Sequence, residues 1–285
     1  MLKVVLAILL FLCSAILVMS CYTPRYVYSP AAQNVAALTK KGDSRIAILY
    51  STNSGSNNDI VQYDRQSSNG LDIHFAYALN NHLFTQFNFY YRKEQNSNLD
   101  NNNATPELIR YKRNLGEIAL GYYTAMNAGE KSFFYLLGSA GLGNFGFKDY
   151  AVSGNSIYYK NFHDASVFKF SVQPALLFKF KKRFAIAFAS KLSFIDYRNI
   201  ETNYNEQQLD LYKLKDLEKG LVSFWEPALV VNYHFKKLPY LQLEGQIGSS
   251  FLLNSKFVDS RTINVSIGVA ADIAHWLWRK PSVKK

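Results

Sequence analysis

Between residues 44 and 271 the chain reads as ten strands, most of them alternating apolar and polar side chains at a period of two; the fifth, about 132–147, is glycine-rich and shows no clear parity. Leu71, Ile73, Phe75 and Tyr77 alternate with Asp72, His74, Ala76 and Ala78. Leu83, Thr85, Phe87, Phe89 and Tyr91 alternate with Phe84, Gln86, Asn88 and Tyr90, and Ile263, Val265, Ile267 and Val269 with Asn264, Ser266, Gly268 and Ala270. Successive side chains of a strand point to opposite faces, so this pattern predicts ten strands, each apolar on one face. The predicted connections alternate too. Those near residues 80, 129, 182 and 238 are short, whereas 53–69, 93–107, 148–163, 199–219 and 253–260 are long and polar. Alternating short turns and long loops mark an up-and-down barrel, with the turns at one end and the loops at the other.

Two placements of the apolar face compete. A soluble barrel turns it inward, and a membrane barrel turns it to lipid. Here the second face is rich in Ala, Gly, Ser, Gln and Asn, with few charges, and the apolar face is crowded with rings. The chain holds 20 Tyr and 21 Phe but 3 Trp. Rings near the strand ends (Tyr90, Tyr91, Tyr122, Tyr123, Tyr233, Phe235, Trp276 and Trp278) suit an interfacial girdle. The expected fold is therefore all-β, an up-and-down antiparallel transmembrane β-barrel of about ten strands. Its lumen receives Asp72, Glu117, Glu226 and Glu244 against Arg45, Lys169 and Lys191, with Gln86, Gln173 and Gln246. Near-balance of charge predicts an internal ion-pair network in a largely side-chain-filled lumen, since small barrels fill with side chains. Pro174 and Pro227 fall inside strands, which predicts bulges there.

The N-terminus carries one charge, Lys3, then an apolar run from Val4 to Met19. This is the layout of a secretory signal, slightly short for a spanning helix. The run ends Leu17-Val18-Met19-Ser20-Cys21, which resembles the lipobox of bacterial lipoproteins. The resemblance implies cleavage before Cys21 and acylation, palmitate-like, of that cysteine. Cys13 leaves with the signal, so the mature chain has no disulfide and no cysteine metal site. The expected organisation is a lipoprotein signal peptide (1–20), a lipidated periplasmic tether (21–43), the barrel (44–278) and a basic tail (279–285).

The post-lipobox run Cys21-Tyr22-Thr23-Pro24-Arg25-Tyr26 and the Lys41-Gly42-Asp43 approach to the first strand resemble outer-membrane β-barrel lipoproteins of the Bacteroidota type. The acidic run linked in that group to surface export does not follow Cys21. The resemblance therefore implies an outer-membrane protein anchored in the periplasmic leaflet. Outer-membrane lipids, lipopolysaccharide and the barrel-assembly machinery are its implied partners.

The net charge of +11 does not point to nucleic acid, because the bases gather at the short-turn end: Lys40, Lys41, Lys131, Lys181, Lys182, Arg183, Lys236 and Lys237. No cofactor or metal motif is present. The strand count resembles omptin proteases, but their paired Asp and Asp-His pattern is not recovered. His163-Asp164 is the nearest candidate, and adjacent strand residues face opposite ways. The expected role is structural or interaction-based, not enzymatic. A narrow small-solute pore is the alternative, and a rim hydrolase follows it.

Overall fold

The computed structural model describes residues 25–55, 65–98, 107–153, 156–180, 183–215, 217–238, 240–254 and 258–274. The expected signal peptide, Cys21, the Asn101–Asn103 tract, Lys181, Lys182, Trp276, Trp278 and the basic tail lie outside these residues.

Ten antiparallel strands close into a barrel. In chain order they are β2 (Ser44–Ser54), β3 (Arg65–Ala78), β4 (Leu83–Asn98), β5 (Glu107–Ala125), β6 (Ser132–Ser153), β7 (Ser156–Phe180), β8 (Phe184–Thr202), β9 (Val222–His234), β10 (Leu241–Ser249) and β13 (Ile263–Asp272). Each pairs with the next, β13 joins β10 to β2, and β10 pairs with β9 to complete the circle. Closure leaves no free edge, so wall backbone groups bond within the sheet, as a lipid environment demands. The outward face is apolar: Ile48, Phe87, Ile118, Leu120, Phe188 and Ile267 all lie exposed. The inward face buries Arg45, Asp72, Glu117, Lys169, Lys191 and Glu226. This is a soluble barrel turned inside out.

Three expectations change. Parts of the predicted loops are strand instead: residues 93–98, 148–153 and 156–163 continue the ladders of their neighbours. β7 alone has 25 residues, and residues 154–155 are all that separate it from β6. Crossing lipid takes roughly 9–11 residues, so these strands carry their ladder on into water, where polar side chains are tolerated on both faces. The prolines cause no bulge. Pairing of β7 with β8 skips Gln173 and Pro174 and resumes unshifted at Ala175, while Pro227 falls at the break between β10 and β11 (Phe251–Leu252). Register shifts occur instead at Asp149/Tyr150 and Asp164/Ser166. Finally, Tyr90 and Tyr123 are buried inside the barrel and do not belong to an outer girdle.

The largest departure is the segment expected as a tether. Residues 25–38 run through the lumen, and Tyr26, Val27, Tyr28, Ala32, Val35, Ala36 and Leu38 are each at most 3% exposed. The segment starts at the long-loop end, where β1 (Tyr26–Tyr28) pairs in parallel with β12 (Val258–Ser260) of the β10–β13 connection. It descends to the short-turn end, where Gly42 at φ +86° donates its N–H to Ala78 O and turns the chain into β2. That left-handed φ suits glycine, which lacks the Cβ that makes it costly. The tether expectation fails because the inner wall alone does not fill the lumen. Ala76, Ala78, Ala119, Ala175, Ala185, Ala187 and Ala189 line its lower part, and the small side chains leave room for Val35, Ala36 and Leu38.

Candidate functional site in the threaded lumen

An extended segment inside a barrel has no ladder of its own. Its buried amides and carbonyls must find other partners or cost about 1–3 kcal/mol each. Wall side chains supply them. Ala32 N–H donates to Asp72 Oδ2 at 3.0 Å and Gln33 N–H to Gln246 Oε1 at 2.8 Å. Gln246 Nε2 donates to Gln33 O at 2.8 Å, and Gln86 Nε2 to Asn34 O at 3.2 Å. Asn53 Nδ2 donates to Pro30 O at 2.9 Å, and Pro30 itself has no N–H to satisfy. Tyr135 Oη donates to Leu38 O at 3.0 Å near the bottom, and Tyr111 Oη to Arg25 O at 3.1 Å near the top.

The middle of the lumen is ionic. Glu117 takes Lys191 Nζ at 3.1 Å, Lys169 Nζ at 3.4 Å and the Tyr90 hydroxyl at 2.9 Å. Lys169 also donates to Tyr28 Oη at 3.1 Å, and Tyr28 donates to Glu226 Oε1 at 2.9 Å. Ser193 donates to the other Glu226 oxygen. Asp72 pairs with Arg92 at 2.5 and 2.8 Å and accepts from Ser51 at 2.6 Å. Glu244 pairs with Arg45 and accepts from Gln246 Nε2 at 2.8 Å. Gln173 is buried on the same inner face, with no partner for its Nε2 among the described residues.

Each lumen residue singled out in the sequence thus lies inside, and all but Gln173 join one connected set with the threaded segment. Arg92, Glu94 and Arg113 escaped the sequence reading. Arg92 shares the parity of Gln86 and Asn88, and Arg113 that of Glu117, so extending the alternation by one or two steps finds them. Glu94 pairs with Arg113 and accepts from Ser68 at 2.8 Å. Seven basic and seven acidic side chains are buried among the described residues, Arg and Lys against Asp and Glu. Paired and hydrogen-bonded burial avoids the several kcal/mol penalty of an isolated ion.

Rings close the upper lumen. Tyr28 stacks on Phe224 at 4.1 Å, and Tyr26 meets Tyr197 edge-on at 5.0 Å. The β8–β9 loop folds over this end through Tyr204, Leu214 and Leu217, all buried. Its short helix α1 (Glu206–Leu211) is capped by Asn205. Arg25 pairs with Glu107 beneath the loop, its guanidinium 4.1 Å above the Tyr212 ring. A cavity beside Tyr28, Tyr90 and Lys169 measures about 20 Å³, close to the space of one water. A vestibule of about 350 Å³ opens at the short-turn end beside Ala37, Thr39, Lys179 and Arg183.

The His163-Asp164 pair does not form a dyad. His163 is buried against Phe147 at 5.4 Å with neither ring nitrogen partnered among the described residues, and Asp164 faces outward.

No family model matches the chain, and no curated protein matches it. Solved structures that resemble it are outer-membrane proteins. The outer membrane protease OmpT from Escherichia coli is 8% identical, with 83% of this chain and 100% of that one covered at a TM-score of 0.47. The translocator domain of autotransporter NalP from Neisseria meningitidis is 10% identical, with 81% and 88% covered at 0.46. The outer membrane protein OprG from Pseudomonas aeruginosa is 9% identical, with 83% and 98% covered at 0.32. At such identities the likeness concerns fold alone.

Proposed function

We propose that this chain is an outer-membrane β-barrel lipoprotein with a structural or interaction role, closed along its axis by its own N-terminal segment. The observation that carries this reading is the burial of residues 25–38 in the lumen, with their backbone bonded to the wall. The apolar outer face supports insertion in a bilayer, and the long strands support presentation of polar surface beyond it. Barrel-assembly machinery is the expected folding partner. The circle closes where the last strand, β13, meets the first, β2, into which the threaded segment leads directly.

Planar-bilayer conductance of the refolded protein is the test, with the gel shift between unheated and boiled samples as folding control. The intact chain should be silent, and a chain lacking residues 26–38 should pass current. Steady openings of the intact chain would instead establish the narrow pore, for which the vestibule is the favouring feature.

The threaded path bears on the lipid. The absent acidic run led to an anchor in the periplasmic leaflet, yet Arg25 stands at the long-loop end. Four residues reach at most about 14 Å, which favours the leaflet on that side if Cys21 is acylated. If the long loops face outward, as in barrels of this type, the anchor is at the cell surface. An epitope placed after Thr23 should bind antibody on intact cells, and Cys21→Ala should abolish acyl labelling. Epitope access only after lysis would return the anchor to the periplasmic side.

A further inference from the structure

The outer wall carries four exposed cations on the long-loop side of its apolar belt: Lys93 on β4, Arg110 and Lys112 on β5, and Lys148 on β6. Lys93 stands directly opposite Lys112, and Arg110 directly opposite Lys148. Directly opposed strand residues have Cβ atoms about 5 Å apart, where like charges destabilise the sheet. Two such pairs adjoin here. None of the four has a carboxylate within ion-pair distance among the described residues. Two acids border the same groove, Asp164, leaning over Gly146, and Glu94, whose buried carboxylate pairs with Arg113, and Glu201 lines the next one. The groove measures about 630 Å³, and Gly146 contributes no side chain to it. Tyr rings border the cations: Tyr150 lies 5.1 Å from the Arg110 guanidinium, Tyr91 5.8 Å from Lys93 Nζ and Tyr159 6.0 Å from Lys148 Nζ.

The height is informative. Ten residues of β4 separate Lys93 from Leu83, and ten of β5 separate Lys112 from Tyr122, both at the short-turn edge. Ten residues at about 3.3 Å, tilted by roughly 40°, rise about 25 Å, the height of the apolar band of a membrane barrel. Lys93 and Lys112 therefore sit at headgroup level, with Phe89, Tyr91 and Leu142 below them on the same outer face.

We infer that this patch binds the phosphate groups of a phosphorylated glycolipid in the leaflet on the long-loop side, with the acyl chains laid along the wall beneath. This rests on the membrane reading above. A bound phosphate offsets the repulsion that the two opposed pairs build into the sheet. The cation pairs alone would also attract free phosphate, but the rings of Tyr91 and Phe89 directly below Lys93, and Leu142 and Ile118 below the Asn114–Asn144 pair, favour a lipid.

The test uses the full refolded chain in phosphatidylcholine vesicles with or without diphosphoryl lipid A. Lipid A should raise the temperature at which the folded gel band is lost and should copurify with the barrel. Lys112→Gln with Lys148→Gln should lower the retained lipid A at least fivefold. In pure phosphatidylcholine the same double variant should melt no lower than wild type, because an opposed charge has gone. Lys236→Gln with Lys237→Gln, at the other end, should change neither result. Should the double variant fold poorly, Lys93→Gln serves in its place. Equal lipid A retention by wild type and variant would overturn the site, and so would an equal thermal shift from millimolar inorganic phosphate. A chain that never folds in vesicles would refute the membrane reading beneath it.

Discussion

The lumen has two differently built floors, and both grip the same threaded segment. In the middle, Gln33, Ala32 and Tyr28 are held by named hydrogen bonds to Gln246, Asp72 and Glu226, within a web of paired charges. At the short-turn end, Val35, Ala36 and Leu38 are held mainly by fit against a wall of alanines, with Phe84, Phe133 and Tyr135 beside them. The middle fixes register, because each polar atom has one suitable partner. The lower floor fixes volume, because small wall residues leave a space that only the segment fills. One is sensitive to chemistry and the other to size.

The sharpest way to break that contrast is to remove one charge from the middle. Glu117→Gln leaves Lys169 and Lys191 without their shared carboxylate. It should destabilise the barrel by about 3–5 kcal/mol, read as a fall in the urea midpoint of the unheated gel band. Lys191→Ala should act in the same direction with less effect, because Lys169 still faces Glu117. A rise in conductance without loss of stability in Lys191→Ala would mean that the middle is a lining and not a lock.

Outside the barrel the same strand offers a control. Ile118 is the neighbour of Glu117 in β5 and faces lipid at 65% exposure. Ile118→Lys should cost about 2–4 kcal/mol in vesicles if that face is at the midplane. An unchanged midpoint would show that the face meets water.

The lower floor should respond to size. Leu38→Ala should cost about 2–3 kcal/mol, at the lower side of the range for buried leucine, since the vestibule below lets the site relax. Loss of conductance block in that variant, with the fold retained, would show that volume alone closes the lumen. The smallest effect expected is for Tyr135→Phe, which removes the bond to Leu38 O and should cost about 1 kcal/mol. A larger loss would mean that the two floors are not distinct and that hydrogen bonding rules throughout.

Much of the wall was legible before any coordinates. The parity of Asp72, Glu117, Lys169, Lys191, Glu226 and Glu244 follows from their neighbours' alternation, because a strand of period two leaves a side chain only two directions. Where alternation weakened, so did the reading. The glycine-rich fifth barrel strand, β6, has Gly138, Gly141, Gly143 and Gly146, and no side-chain pattern there says that Phe145 and Phe147 face inward. The strand extensions above the membrane look like loops in the sequence because polar residues on both faces erase the period. The threaded segment was missed for a different reason. It has no period at all, and its shape is imposed by partners on distant strands, from Asn53 on the first barrel strand to Gln246 near the end of the chain. A hint existed in its content: Tyr26, Val27, Tyr28, Val35, Ala36 and Leu38 are too apolar for a solvated tether.

The sequence by itself determined the all-β wall of about ten strands, the apolar outer face and the polar inner one, since these depend on neighbours along the chain. Only the tertiary structure decided what fills the barrel and at which end the N-terminal chain emerges. Those depend on the volume left when ten inner faces meet, a quantity that no single strand contains.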